Sequence, residues 1–357
     1  MTRLFCFAFS LIICAEPTAA MSQPLFGHVN VIPEESFYNL RPSLNVKKDS
    51  FGMTILSPDT KILPPASFFA GQPDQSSSPK QLHEMNRAEI DAFIRETGSR
   101  HADFLERLQI HSERALGAPY RWFPLGEGPQ GKYDRDPLID FAHVDCLTFC
   151  EQILAMALAD NYDEMFQRLQ RLRYRGGEID IRERNHFTIS DWLTNNSWLV
   201  EDITTTIGGE LCVGMTKTID RVEGLRKKGV PAKELAAIPP PQTMTIKYIP
   251  EANLPAIKSK LRGEEIAVIM QSRSGIFAAH LGFMLRDSAG QIFFRNASAR
   301  RGVKKVVDED FDELVKFLRR NPSWVGMVFL RVRPEFMNNP EVVAREILKP
   351  AEANRAK

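Results

Sequence analysis

The sequence predicts an α+β protein on two observations. Apolar residues recur at helical spacing as far as about residue 173, and β-rich segments take over after a proline-rich connection. With 357 residues, 43% hydrophobic and 25% charged, the chain is ordinary globular material, long enough for one large domain or two small ones. Its 46 Lys+Arg against 45 Asp+Glu create no basic field, which argues against nucleic acid as a partner.

The N-terminus places Met-Thr-Arg before the apolar stretch LFCFAFSLIICA and the small residues ahead of Met21, the pattern of a secretory signal over residues 1–20. That stretch falls short of the roughly 20 residues that cross a bilayer, and no other segment looks transmembrane, so no stable membrane insertion is expected. Lipid attachment at Cys14 is an alternative, disfavoured by the bulky Ile12 and Ile13 before it. Removal of Cys6 and Cys14 would leave Cys146, Cys150 and Cys212, an odd set that does not suit a disulfide framework.

Residues 21–84, with eight prolines and the run GQPDQSSSPK, read as an extended or partly disordered segment. One folded domain is expected over 85–335, with a polar tail over 336–357. Two helices are predicted over 88–97 and 100–116, the second stopped by Gly117 and Pro119. A polar loop leads to the stretch HVDCLTFCE. Beyond it Phe149, Cys150, Ile153, Leu154, Ala157 and Leu158 form an apolar stripe at intervals of three and four, so a buried helix starts near Cys146 with Asp145 as its N-cap. Helical material follows around 162–173. The mixed aromatic and polar segment NHFTISDW, ending at Trp192, suits a cleft wall better than a core. After AAIPPPQ, strands are predicted over 243–249, 265–271, 276–286, 291–296 and 324–332, in a mostly antiparallel sheet interrupted by a charged helix over roughly 308–320.

Three readings are open for the cysteines. A cysteine in an apolar helix is commonly a small core residue, which suits Cys150. His143, Cys146 and Cys150 could supply three metal ligands, with Cys212 or His186 as a fourth, although the spacing is loose. Cys146, at a helix N-terminus, has a physical route to reactivity, because unpaired N–H groups and the positive end of the helix dipole stabilise a thiolate. A nucleophilic cysteine needs a base and an orienter. His280 sits mid-strand, with Gly282 leaving room on the same face, and an antiparallel return of the next strand would bring Asn296 alongside it. An asparagine there can fix the imidazole tautomer, although an isolated Asn-Ala-Ser also reads as a strand-end turn.

Together, GAPYRW from Gly117, Asp145-Cys146 opening a helix, HLGFML from His280 and RNASARRGV from Arg295 resemble the NlpC-type cell-wall cysteine peptidases, compact papain-like enzymes. VDCLTFCEQILAMAL, the RYRGG to ISDW block and YIPEANLP are similar to that superfamily's N-acetylmuramoyl-L-alanine amidase-like branch, over about residues 85–333. The resemblance implies a papain-like α+β fold, Cys146 as nucleophile, His280 as general base and Asn296 as its orienter. It puts Tyr120 and Asp145 near the scissile bond and makes His186, Asp191 and Trp192 cleft-lining. No metal or other cofactor is implied. The substrate would be a peptidoglycan fragment, a muropeptide, met in the periplasm and cut at the muramoyl-L-alanine amide. Within the superfamily the rival bond is D-glutamate to diaminopimelate, and a catalytically silent muropeptide-binding protein is the rival from another class. The lead-in Gly263-Glu264-Glu265 and the apolar Phe277-Ala278-Ala279 depart from the usual pattern and leave fine specificity open.

Overall fold

The computed structural model describes residues 79–337. The expected signal, most of the N-terminal segment and most of the tail lie outside these residues, as do Cys6 and Cys14.

Four helices lead the described chain: α1 (Arg87–Arg100), α2 (Phe104–Arg114), α3 (Cys146–Ala157) and α4 (Tyr162–Arg173). Each starts on a side-chain cap, Asn86, Asp103, Asp145 and Asn161 in turn, whose oxygen accepts the otherwise unpaired N–H groups of the first turn. Helix α3 is buried from Thr148 to Ala157, the polar Glu151 and Gln152 included, as befits a helix covered on nearly every side.

Eight strands follow in one antiparallel sheet: β1 (Val200–Asp202), β2 (Val213–Ile219), β3 (Gln242–Pro250), β4 (Glu265–Gln271), β5 (Ala278–Arg286), β6 (Ile292–Ser298), β7 (Lys305–Asp310) and β8 (Trp324–Val332). Their order is β2-β3-β8-β4-β5-β6-β7, with β1 paired to β8. Strand β4 is buried along its whole length, and so is β6; the Phe311–Arg320 helix packs against β6, β7 and β8. Helix α3 lies on β5 and β6, with the Phe149 and Phe283 rings 5.5 Å apart in an edge-to-face contact.

The predicted α+β order and antiparallel sheet are present, and β4, β8 and α4 have the expected bounds. Two features differ. Residues 308–310 belong to strand β7, not to the start of the charged helix, which runs from Phe311 to Arg320. Strand formation there is permitted because its acidic residues have partners: buried Asp308 accepts two hydrogen bonds from Arg295 of β6, and Glu309 pairs with Arg300. Strands β1 and β2 were also not foreseen. In β2 the buried Lys217 ammonium donates to the carbonyls of Gln271, Arg273 and Ile276, tying the β2–β3 ribbon to the turn between β4 and β5.

Candidate active site

Asp145 sets the start of α3. Its Oδ1 accepts from the Thr148 N–H at 2.8 Å, while the Thr148 hydroxyl accepts from the Asp145 N–H at 2.9 Å. The other oxygen, Oδ2, accepts from the Phe123 N–H at 3.1 Å, so one buried carboxylate ties the loop after Tyr120 to the helix that Cys146 opens. Burial pushes its pKa up against these hydrogen bonds. Both oxygens are thus engaged within the protein.

Cys146 is half-buried at the first turn of α3, whereas Cys150, one turn deeper, is fully buried and its thiol is pushed well above the usual range by desolvation. A thiol so placed stays protonated and packs, as expected of Cys150. The alternative cluster does not assemble: among the described residues no three potential ligands converge. His143 lies 3.2 Å from Asp140, His186 donates Nε2–H to the Ile181 carbonyl at 2.7 Å, and Cys212 reaches the Thr204 carbonyl at 3.5 Å.

The histidine side of the site is built by strand register. Phe283 pairs with Arg295, and carrying that register three residues further sets His280 diagonal to Asn296. The two approach closely because Gly282 intervenes; a Cβ there would stand 2.5 Å from the Arg295 carbonyl oxygen and 2.8 Å from the Asn296 Cβ. The room at Gly282 therefore serves the neighbouring strand. On the other side, Ile269 pairs with His280 and Met270 with Ala278, so Ala279 is the extra residue of a bulge directly before the histidine. Bulges re-aim the side chains that follow them. The apolar Phe277-Ala278-Ala279 lead is explained by this bulge and by the burial of Phe277.

His280 Nε2 lies 2.9 Å from Asn296 Oδ1. The Asn296 amide nitrogen donates to Glu309 Oε1 at 3.0 Å, which turns the amide oxygen towards the imidazole. Nε2 therefore carries the proton and Nδ1 keeps its lone pair. Burial lowers the His280 pKa to about 4, opposed by the Asn296 hydrogen bond, so the ring is neutral near pH 7. Trp324 stacks on it at 6.3 Å with planes 11° apart, and Phe294 meets it edge-on at 6.1 Å. Asn296 is 1% exposed and in mid-strand, not at a strand-end turn.

Tyr120 forms a bridge to Val144, just before Asp145, and its N–H donates to the Lys304 carbonyl at 2.9 Å. Its ring meets Trp122 edge-on at 5.1 Å, and the Lys304 ammonium lies 5.3 Å from the Tyr120 ring centre. Phe123 and Lys304, which flank this group, are the two non-glycine residues with positive φ among the described residues, at 49° and 46°. Such strain collects at functional surfaces.

The ISDW block is corrected. Trp192 is 0% exposed within the main core, and buried Asp191 accepts from Arg221 at 2.7 Å and from the Phe187 N–H at 3.1 Å. Burial lowers the His186 pKa to about 3. Asp191 and Trp192 form the packing of a π-helical turn, Thr188–Leu193, while His186 before it is half-buried. The structure thus brings together the elements carrying Cys146, His280, Asn296 and Tyr120, and leaves His186, Asp191 and Trp192 with structural partners. Sequence reasoning missed Trp324, Glu309 and Arg300. Only Trp324, an aromatic opening a strand, carried a signal that could have drawn notice.

These features define an α+β protein with a thiol at the start of a helix packed over strands that carry a histidine and an asparagine. The model of the AmiA-like, N-acetylmuramoyl-L-alanine amidase-like family matches residues 110–323, and the chain belongs to that family. Among solved structures it is similar to a Legionella pneumophila protein of the DUF1460 family, with 24% identity and a TM-score of 0.61 over 70% of this chain and 97% of that one. It is also similar to an N-acetylmuramoyl-L-alanine amidase from Bacteroides uniformis in two crystal structures. One has 23% identity and a TM-score of 0.52 over 65% of this chain and 100% of that one. The other has 22% identity and a TM-score of 0.54 over 64% and 99%. At these identities the likeness speaks for the fold. No curated protein matches the chain. Among the described residues no helix is long and apolar enough to cross a membrane.

Proposed function

We propose that the chain is an exported cysteine amidase of the papain-like, NlpC-type superfamily that cleaves the amide between the lactyl group of N-acetylmuramic acid and L-alanine. The observation that carries this reading is the His280–Asn296 pair at 2.9 Å, on strands packed beneath the helix that Cys146 opens. The family's amidase-like character supports the choice of bond. Export rests on the signal-like residues 1–20, which would place the domain over 85–335 in the periplasm.

His280 Nδ1 takes the Cys146 proton as Sγ attacks the lactyl carbonyl carbon. Backbone N–H groups at the start of α3 hold the oxyanion. The C–N bond breaks as the imidazolium returns its proton to the leaving L-alanine nitrogen, which leaves a thioester on Cys146. His280 then deprotonates a water that attacks this thioester, releasing the muramyl carboxylate and restoring the thiol. Tyr120 borders this path, and Asp145 and Asn296 hold its parts in place.

Mass spectrometry of defined muropeptides incubated with the wild type and with Cys146→Ala tests the reading. Intact stem peptides beginning with L-alanine, released by the wild type alone, are expected. Cleavage between D-glutamate and diaminopimelate would move the protein to the endopeptidases, and retention of an uncut muropeptide would make it a binding protein.

A further inference from the structure

Beyond Asn296 the polar contacts continue to a carboxylate and a guanidinium that no step above uses. Strand β7 pairs Asn296 with Val307 and Phe294 with Glu309, so Glu309 is the diagonal neighbour of Asn296. Its Oε1 accepts both the Asn296 amide N–H and an Arg300 N–H. Arg300 is held in turn by the Ser298 hydroxyl, 3.2 Å from its Nε, and lies over the Phe317 ring at 5.0 Å. Phe317 meets Trp324 edge-on at 5.3 Å, and Trp324 stacks on His280. The contacts close into a ring: His280, Asn296, Glu309, Arg300, Phe317, Trp324 and back to His280. Asn296 and Glu309 are 1% and 3% exposed, so water does not compete for these bonds.

A primary amide can turn over with little change in shape, and its two ends ask opposite things of an imidazole. With Oδ1 towards His280, Nε2 must carry the proton and Nδ1 is a base. With the NH2 group towards it, Nε2 must accept, Nδ1 carries the proton, and the ring cannot receive a proton from a thiol. Asn296 alone does not choose between these states. A carboxylate oxygen accepts and never donates, so Glu309 opposite the amide admits only the first. Arg300 neutralises the buried carboxylate and limits its desolvation penalty.

We propose that Glu309, held by Arg300, is a positioning residue that sets the Asn296 amide orientation and thereby keeps His280 in the Nε2–H tautomer needed for a base at Nδ1. This rests on the reading of His280 as the base.

Nitrogen-15 NMR of histidine-labelled protein, with the His280 signals assigned by their loss in His280→Gln, reads the tautomer without any substrate. The wild type should show the Nε2–H form, Glu309→Gln should keep it, because its amide oxygen can accept both bonds, and Glu309→Leu should lose it. On a muramyl-L-alanine substrate, Glu309→Leu should lower kcat by about 100-fold with KM within about threefold, as supporting residues of this kind do, and Glu309→Gln should stay within about threefold of wild type. An unchanged tautomer in folded Glu309→Leu overturns the proposal, and so does a loss in Glu309→Gln as large as in Glu309→Leu. Should Glu309→Leu fail to fold, the cycle with Asn296→Leu decides: Glu309→Ala should cost nothing further in that background, and multiplying losses overturn the assignment. If the wild type does not cut the muramyl-L-alanine bond, the functional reading falls, while the tautomer measurement still judges Glu309.

Discussion

The two halves of the candidate site are held by different means. Cys146 is placed by neighbours in sequence: Asp145 caps its helix, Thr148 returns the bond three residues on, and Phe123 docks on the same carboxylate. His280 is placed by residues 16 to 44 positions away on three other strands, through Asn296, Trp324 and, one step further, Glu309. A local capping box tolerates change in the sheet, whereas a diagonal across β5, β6 and β7 depends on every register in between. Damage on the helix side should therefore act through the thiol or through stability, and damage on the sheet side through proton transfer.

The sharpest way to break this division is at the reacting atoms. Cys146→Ala should abolish muropeptide turnover, by at least about 10⁴-fold, with an unchanged melting temperature. Residual activity near wild type would remove the nucleophile from the helix side altogether. His280→Ala should cost about 10³-fold or more and Asn296→Ala about 10- to 100-fold, because an orienter contributes less than the base it orients. Equal losses at the two positions in kcat/KM would mean their roles are misassigned.

Acidification separates the halves differently. Burial holds the His280 pKa at about 4 against an ordinary 6.5, so the proposed base stays unprotonated and the acid limb of kcat/KM should fall near pH 4. A limb near 6.5 would mean the ring is not shielded in solution. Buried His111 and half-buried His186, each lowered to about 3, act with it on stability. Below pH 6.5 the unfolded chain binds protons that the folded chain refuses, so stability present above 6.5 is lost progressively as pH falls towards 3. Denaturant midpoints across that window, flattened in part by His111→Phe, check the sign.

Smaller effects sharpen the helix side. Asp145→Ala should lower stability by about 1–2 kcal/mol through the lost cap, and activity should drop with it as the Phe123 loop comes loose; urea titration and turnover measured together test this. Cys150→Ala should retain activity and cost about 1 kcal/mol for the lost packing. Near-complete inactivation of a folded Cys150→Ala protein would return that thiol to the chemistry.

The same division explains what could be read in the sequence. Helix α3, its cap and its thiol follow from spacings of three and four residues. The β5–β6 return is legible because a short turn joins two β-rich runs, and that pairing puts Asn296 beside His280. Strand β7 was hidden: the run from Asp308 to Glu313 is acidic enough to pass for a helix start, and its strand character depends on Arg295 and Arg300 supplying counter-charges from β6 and its turn. Mistaking that strand concealed Glu309 as well. Trp192 misled for a related reason: a polar sequence around it suggested a wetted surface, but Asp191 finds Arg221 and the π turn folds the indole inward.

The burial of Asn296 has a practical consequence. The tripeptide Asn296-Ala297-Ser298 is an acceptor pattern for N-linked glycans, and in the folded protein its amide is shut between β5 and β7 with both ends engaged. In a eukaryotic secretory host the glycan is attached while the chain is still unpaired, before β6 closes. A sugar on that nitrogen would displace the Glu309 bond and wedge the two hairpins apart, so production by secretion from yeast or mammalian cells should yield misfolded, inactive material that blocking glycan transfer in the host restores, while a bacterial host has no such requirement.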